Sequence, residues 1–409
     1  MPVRKKIIIG ALAAVLCGAF LFFFSRPKTV AWNAAEGKEA PKESAIADIL
    51  NIFPNGSEKP KEPEKAKEVV IDPSLKLQNP PSSIKAIYMT AWSATSASRI
   101  DSLIDVAEKT SVNAIVIDIK DYSGKIAYAT HDPEIEKYAT EEIKIRDIGA
   151  LIRKLHEKNI YVIARVTVFQ DPALASSRPD LAIKDSSTGK VWVDNKKLAW
   201  VDSSSKEVWD YNIRVAKNAF SKGFDEVNFD YVRFPSDGSL NAMSYPFYDK
   251  TRSKSEVMKD FFVYLRENLK GEKISADLFG LTTSAADDLG IGQVLTDAIV
   301  NFDAVCPMVY PSHFANGFIG YKNPAAYPYE VIKYSMESAV KKVGPEYAGR
   351  LRPWLQDFDL GANYGPAEVS AEIKAAEETS GGWMIWAPSN VYTVSGIPKE
   401  DAAGDKKTE

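Results

Sequence analysis

The sequence predicts an α/β protein folded as a (β/α)8 TIM barrel, preceded by an N-terminal transmembrane helix and a disordered linker. Three observations predict the barrel. From Ser82 onward, short apolar runs alternate with amphipathic stretches, the pattern of parallel strands joined by helical crossovers. Eight such units fit into about 315 residues, the span a barrel with a few long loops requires. The competing architecture, an open doubly wound sheet, normally opens on a glycine-rich first turn, and none is present.

The elements follow in order. Residues 84–90 read as the first strand and 98–109 as the helix after it. In the second strand, 114–120, Ile115, Ile117 and Ile119 share one face, and Val116, Asp118 and Lys120 the other. A helix at 145–158 carries Ile148, Leu151, Ile152 and Leu155 at close to helical spacing. The third strand, 161–169, holds Arg165 and Thr167 on its mixed face. A long connection with Trp192 and Trp200 leads to a helix at 206–222. The fourth strand lies in 223–235, with Val227, Phe229 and Tyr231 on the apolar face, Asn228 and Asp230 on the polar one, and Pro235 as its stop. A helix at 255–269 precedes the fifth strand, 273–279, where Ser275 and Asp277 point inward. Strand six at 304–310, a helix at 329–342, strand seven at 351–356, a helix at 367–378 and strand eight at 382–387 complete the barrel.

The chain has 409 residues and is 45% hydrophobic and 26% charged, enough apolar material for one large core. A net charge of -4 argues against a general nucleic-acid binder, which shows a basic stripe. Arg4, Lys5 and Lys6 precede an apolar run from Ile7 to Phe24, long enough to span a bilayer and without a small-x-small cleavage pattern after it. Residues 1–24 are therefore expected to be an uncleaved signal-anchor, the alternative being a cleaved signal peptide that leaves the same domain outside the membrane. Cys17 does not make a lipoprotein site, because Leu16 before it is large and the apolar run continues past it. Residues 25–80, rich in Pro, Glu and Lys, read as a linker; 81–395 as the barrel; and 396–409 as a disordered tail.

Inward polar residues cluster at the C-terminal ends of the strands: Asp118, Lys120, Arg165, Asn228, Asp230, Asp277, Tyr310, Gln356 and Trp386. A lone aspartate is more often a paired structural residue. Convergence on one rim is harder to explain that way, since a stability-only barrel fills that layer with Val, Ile and Leu. Acids, an arginine and aromatics without metal ligands suit glycoside hydrolysis, which needs one protonated and one ionised carboxyl across the scissile bond. Asp230 and Asp277 end adjacent predicted strands. Arg165 or Arg233 would favour the charged form of Asp230, making it the nucleophile or base and Asp277 the acid. Asp118 is the reserve carboxylate, with Lys120 as its expected partner. Trp92, Trp192, Trp354, Trp386 and Tyr310 offer sugar-stacking faces, although core packing is the commoner role for each. His313 lies at the same end of the barrel as a substrate-binding candidate. There is no HExxH, CxxC or GxSxG pattern, and neither a cofactor nor a metal is expected.

The stretches Asn228 to Pro235 (NFDYVRFP), Ser275 to Gly280 (SADLFG), Pro307 to His313 (PMVYPSH) and Trp383 to Trp386 (WMIW) resemble a bacterial family of TIM-barrel domains. That family is assigned to the glycoside hydrolases, is of largely undefined activity, and is often found behind an N-terminal membrane anchor. The resemblance covers residues 82–395 and implies a barrel acting on carbohydrate. Residues 225–232 can also be laid on the acidic strand of chitinase-like barrels. Val232 then replaces their catalytic glutamate, so their substrate-assisted mechanism does not carry over. The expected protein is a membrane-anchored, extracytoplasmic hydrolase of an envelope or extracellular polysaccharide, with no nucleic-acid partner. The alternative is a non-catalytic barrel that binds glycan or organises envelope proteins.

Overall fold

The computed structural model describes residues 68–399. The apolar run at 7–24, the linker through residue 67 and the tail from residue 400 lie outside them. Among the described residues no helix is long and apolar enough to cross a membrane.

The elements are β1 (Ile84–Met89), α1 (Ala97–Lys109), β2 (Ala114–Lys120), α2 (Pro133–Glu136), α3 (Ile148–His156), β3 (Tyr161–Thr167), α4 (Pro172–Ser177), β4 (Lys184–Asp185), α5 (Lys206–Ser221), β5 (Glu226–Asp230), β6 (Met243–Ser244), α6 (Lys254–Asn268), β7 (Lys273–Phe279), α7 (Leu295–Ile299), β8 (Ala304–Met308), α8 (Pro328–Val343), β9 (Trp354–Gln356), α9 (Pro366–Glu377) and β10 (Gly382–Trp386). Eight strands close into a parallel barrel in the order β1-β10-β9-β8-β7-β5-β3-β2. All eight predicted strands are there. The helices start where local chemistry allows it: Ser96, Asp147 and Ser205 cap α1, α3 and α5 through their side chains, and Ser253 with Glu256 forms a capping box on α6. Proline opens α8 and α9, where its missing N–H leaves no bond unmade.

Apolar burial lies in two layers. Ile115, Ile117, Val162, Val227, Phe229, Ile274 and Leu278 face outward under the helices, while Ala86, Val116, Ile163, Cys306 and Met384 fill the barrel. The barrel floor is polar. Glu226, the first residue of β5, is paired with Arg352 and accepts from Ser275 Oγ at 2.5 Å, all three being buried.

Several element ends differ from the sequence expectation by two or three residues, and four departures matter more. The strand expected to run to Pro235 ends at Asp230, because Tyr231 adopts φ 54°, which no β-strand accommodates. In β2 the register with β3 shifts between Asp118 and Lys120, so the two residues do not share a face. The linker's end packs on the barrel before residue 81, with Leu77 N donating to Asp225 at 2.7 Å. At the other end the barrel extends past 395: Ile397 is buried, and Pro398 O accepts from Ser111 N at 2.7 Å.

Two long loops rise on the C-terminal rim, one after β3 and one after β5. The antiparallel pair β4–β6 joins them, Trp192 Nε1 donates to Ser239 O at 3.1 Å, and Asn195 N donates to Asp237 at 3.1 Å. Together they wall one side of the barrel mouth.

Candidate active site

Arg165 is the centre of the site. Period two on β3 turns it inward, one step above Ile163, and register places Asp118 on one side and Asn228 on the other. Its guanidinium reaches past Asn228 to the end of β5. Nη1 bonds Asp118 and Nη2 bonds Asp230, while Nε lies 3.7 Å from Asp277 Oδ2 without a hydrogen bond. Burial alone would lower the pKa of Arg165, but the carboxylates of Asp118 and Asp230 raise it well above its usual value. The guanidinium thus takes the central position among three carboxyls. Among the described residues no group of His, Cys, Asp and Glu is arranged to hold a metal ion.

The three aspartates differ in what surrounds them. Asp230 faces donors on both oxygens: Arg165 on Oδ2, and the backbone N–H of Tyr231 on Oδ1 at 2.6 Å. The left-handed turn at Tyr231 brings that N–H back onto the preceding side chain. Asp118 bonds Arg165 through one oxygen and accepts from the Tyr88 hydroxyl through the other, yet burial raises its pKa despite both. Asp277 sits on β7, beside the end of β5 by extrapolated register, and is 1% exposed. Its Oδ1 accepts from Asn228 Nδ2 at 2.9 Å and Trp354 Nε1 at 2.8 Å. Burial, and then the charge of Asp230, push its pKa up to about 8, against the pull of Arg165 and these hydrogen bonds. Burial and its neighbour's charge thus favour the neutral form of Asp277, beside an Asp230 that Arg165 holds.

Aromatic rings line the wall above. Tyr88 stacks on Trp386 with centroids 3.8 Å apart, Trp354 meets Trp386 edge-on at 5.6 Å, and Arg165 lies 5.2 Å from the centre of the Trp386 ring. Tyr310 follows β8 and touches His313 and Phe358, at 5.2 and 5.8 Å between ring centres. Burial raises the Tyr310 pKa well above the usual phenol value, so its hydroxyl keeps its proton. Ser312 Oγ donates to Gln356 at 2.7 Å, tying the loop after β8 to β9. His313 stands exposed at the mouth. Its pKa is held down by desolvation and by Lys196 from the loop after β3.

Asp118, Arg165, Asn228, Asp230, Asp277, Tyr310, His313, Gln356 and Trp386, all expected at the site, are gathered at this mouth. Lys120 and Arg233 are not part of it. The register shift turns Lys120 out of the barrel, where its ammonium pairs with Asp171 at 2.7 Å, both fully buried, and bonds Thr167 O and Asn212. Asp118 therefore takes Tyr88 and Arg165 as partners instead of Lys120. Arg233 packs on the rings of Trp200 and Phe279 at 4.8 and 4.6 Å and donates to Phe234 O and Ser236, with no carboxylate partner. Trp192 is buried beneath the rim loops, whereas Trp92 is exposed.

Sequence reasoning missed Tyr88 and the donor role of Trp354. Tyr88 was findable, since it follows Ala86 at the inward spacing of β1. The bond from Trp354 to Asp277 was not, because β8 lies between their strands and only barrel closure brings them together.

Residues 86–392 match the model of the family described as "Putative glycosyl hydrolase domain". A comparison with curated proteins finds no match. A hypothetical protein from Ruminiclostridium thermocellum is similar over 50% of this chain and 98% of its own, at 36% identity and TM-score 0.44. The glycoside hydrolase domain of PgaB (BpsB) from Bordetella bronchiseptica superposes on 78% of this chain and 100% of its own, at 11% identity and TM-score 0.56, a likeness of fold. The spore cortex-lytic enzyme SleL from Bacillus megaterium covers 78% of this chain and 73% of its own, at 9% identity and TM-score 0.47. The chain belongs to this glycosyl hydrolase domain family.

Proposed function

We propose that this member of the glycosyl hydrolase domain family cleaves a polysaccharide at the mouth of its barrel, with Asp277 as general acid and Asp230 as nucleophile or base. One observation carries the reading: of two carboxyls on neighbouring strands against one guanidinium, Asp277 is buried and held toward its neutral form, while Asp230 accepts hydrogen bonds on both oxygens. Glycoside hydrolysis needs that asymmetry, since one group must give a proton to the leaving oxygen while the other attacks or activates water. Hydrolysis also makes the charge of Arg165 useful, because it keeps Asp230 from taking the proton of its neighbour.

The mouth is suited to sugar. Trp386 is half-buried, with its ring among Tyr88, Trp354 and Arg165. Arg165 Nε and Asn228 Oδ1 are buried polar atoms without a protein partner, and a substrate hydroxyl can satisfy such groups. Tyr310 and His313 supply further polar edges. The apolar run at 7–24 would anchor the protein, with the barrel outside the cytoplasm and an envelope or extracellular polysaccharide within reach.

A second reading has its own observation. Arg165 pairs both Asp118 and Asp230, and all three carboxyls are less than 10% exposed, which suits a rigid glycan-binding floor. Incubating the full chain and Asp230→Asn with a panel of envelope and extracellular glycans separates the two. Reducing ends released by the wild type alone support the hydrolase. Glycan binding without release by either protein supports the binder, and neither binding nor release removes both.

A further inference from the structure

Trp92 is the only exposed tryptophan among the described residues, at 64% exposure, and it stands on the same rim as the site. It follows Tyr88 by four residues, so it lies within about 14 Å of the side chain partner of Asp118 along the chain. Its setting is unlike that of a loose surface ring. A 3-10 turn begins at Ser93, and Thr95 Oγ1 donates back to Trp92 O at 2.8 Å, pinning its backbone. The ammonium of Lys144 lies 5.1 Å from the ring centre. Lys144 is itself fixed, with a side chain 6% exposed, 3.4 Å from Glu142 and 3.8 Å from Asp121. The indole is thus a plate mounted on a buried cation with much of its surface in solvent.

Beside it runs a groove of about 780 Å³ between α1 and the start of α3. Ala94, Ile100, Ile143 and Leu151 make its apolar wall, and Arg146 also lines it, with no ion-pair partner among the described residues. Tyr122, 58% exposed, lies just beyond the end of the adjacent strand β2. A rigid aromatic plate, an apolar wall and a free guanidinium together recognise the apolar face and the hydroxyl edge of a sugar ring.

We propose that Trp92 and this groove form a distal carbohydrate subsite. It holds a segment of the same polymer whose scissile bond lies over Asp230 and Asp277. This rests on the hydrolase reading and extends it, making the protein an enzyme of long chains that grips its substrate away from the point of cleavage. The ring binds by stacking and Arg146 by donating to ring substituents. Neither touches the reacting atoms.

Affinity electrophoresis of the full chain tests it, in gels containing peptidoglycan glycan strands, partially acetylated polyglucosamine or an anionic uronan. The Asp230→Asn background prevents turnover, and release of nitrophenol from short chromogenic glycosides is measured in parallel with the wild-type background. Trp92→Ala is expected to weaken retardation by the bound polymer on the order of tenfold, the loss of one stacking face. Trp92→Tyr, which keeps a stacking face, should retain most of the affinity, and short-glycoside turnover should be unchanged in both. Retardation indifferent to Trp92→Ala, with turnover intact, overturns the subsite and leaves the hydrolase standing. No retardation and no turnover overturn both.

Discussion

Asp277→Asn should make the protein more stable at neutral pH while removing the group proposed as general acid. The side chain titrates from 3.8 when unfolded to about 8 in the folded protein, because it is buried beside Asp230. An acid whose folded pKa lies above its unfolded one contributes most stability below the unfolded value. That contribution is lost as pH rises toward the folded value. Each pH unit in that window removes about 1.4 kcal/mol, so by pH 7 the wild type has lost on the order of 4 kcal/mol that an uncharged asparagine keeps. Asparagine retains an oxygen for Asn228 Nδ2 and Trp354 Nε1, the two donors on Asp277 Oδ1. Urea denaturation of both proteins at pH 5, 6, 7 and 8 measures the difference. The stability gap should widen steadily in favour of the variant across that range. A gap that stays constant would refute the claim that Asp277 is buried as a neutral acid.

Three further outcomes follow from the same residues. Glycan cleavage should fall as pH rises through about 8, where Asp277 loses its proton; kcat/KM measured from pH 6 to 10 reads this, and a flat profile to pH 10 contradicts it. Arg165→Met leaves Asp118 and Asp230 buried without their cation and should destabilise the fold by about 3–5 kcal/mol, measured by denaturation, with cleavage lost. Glu226→Gln breaks the ion pair at the barrel floor and should be destabilising by a similar few kcal/mol. Because Glu226 is at the opposite end of the barrel from the acids, the folded fraction should keep its kcat.

The fold was legible because its signals are local. Period two on β2, β3, β5 and β7 sorted inward from outward residues, and helical spacing of apolar residues marked the crossovers between them. The inward aspartates were readable for the same reason. What escaped was set by backbone conformation and closure. The register shift in β2 reverses Lys120, and nothing in an Ile-Asp-Ile-Lys alternation announces a bulge. The left-handed Tyr231 cuts β5 short and supplies an N–H to Asp230, although tyrosine rarely adopts that conformation. Arg233 reads as an ion-pair partner by sequence proximity, yet the same turn carries it away to the rings of Trp200 and Phe279.

The most direct test of the account is the turnover of Asp230→Asn and Asp277→Asn, in the full chain, on a glycan that the wild type cleaves. Each variant should fold, and each should lose on the order of 10²–10⁴ in kcat, the contribution of a positioned acid or base. Wild-type turnover in either folded variant would contradict the assignment of the chemistry to this pair.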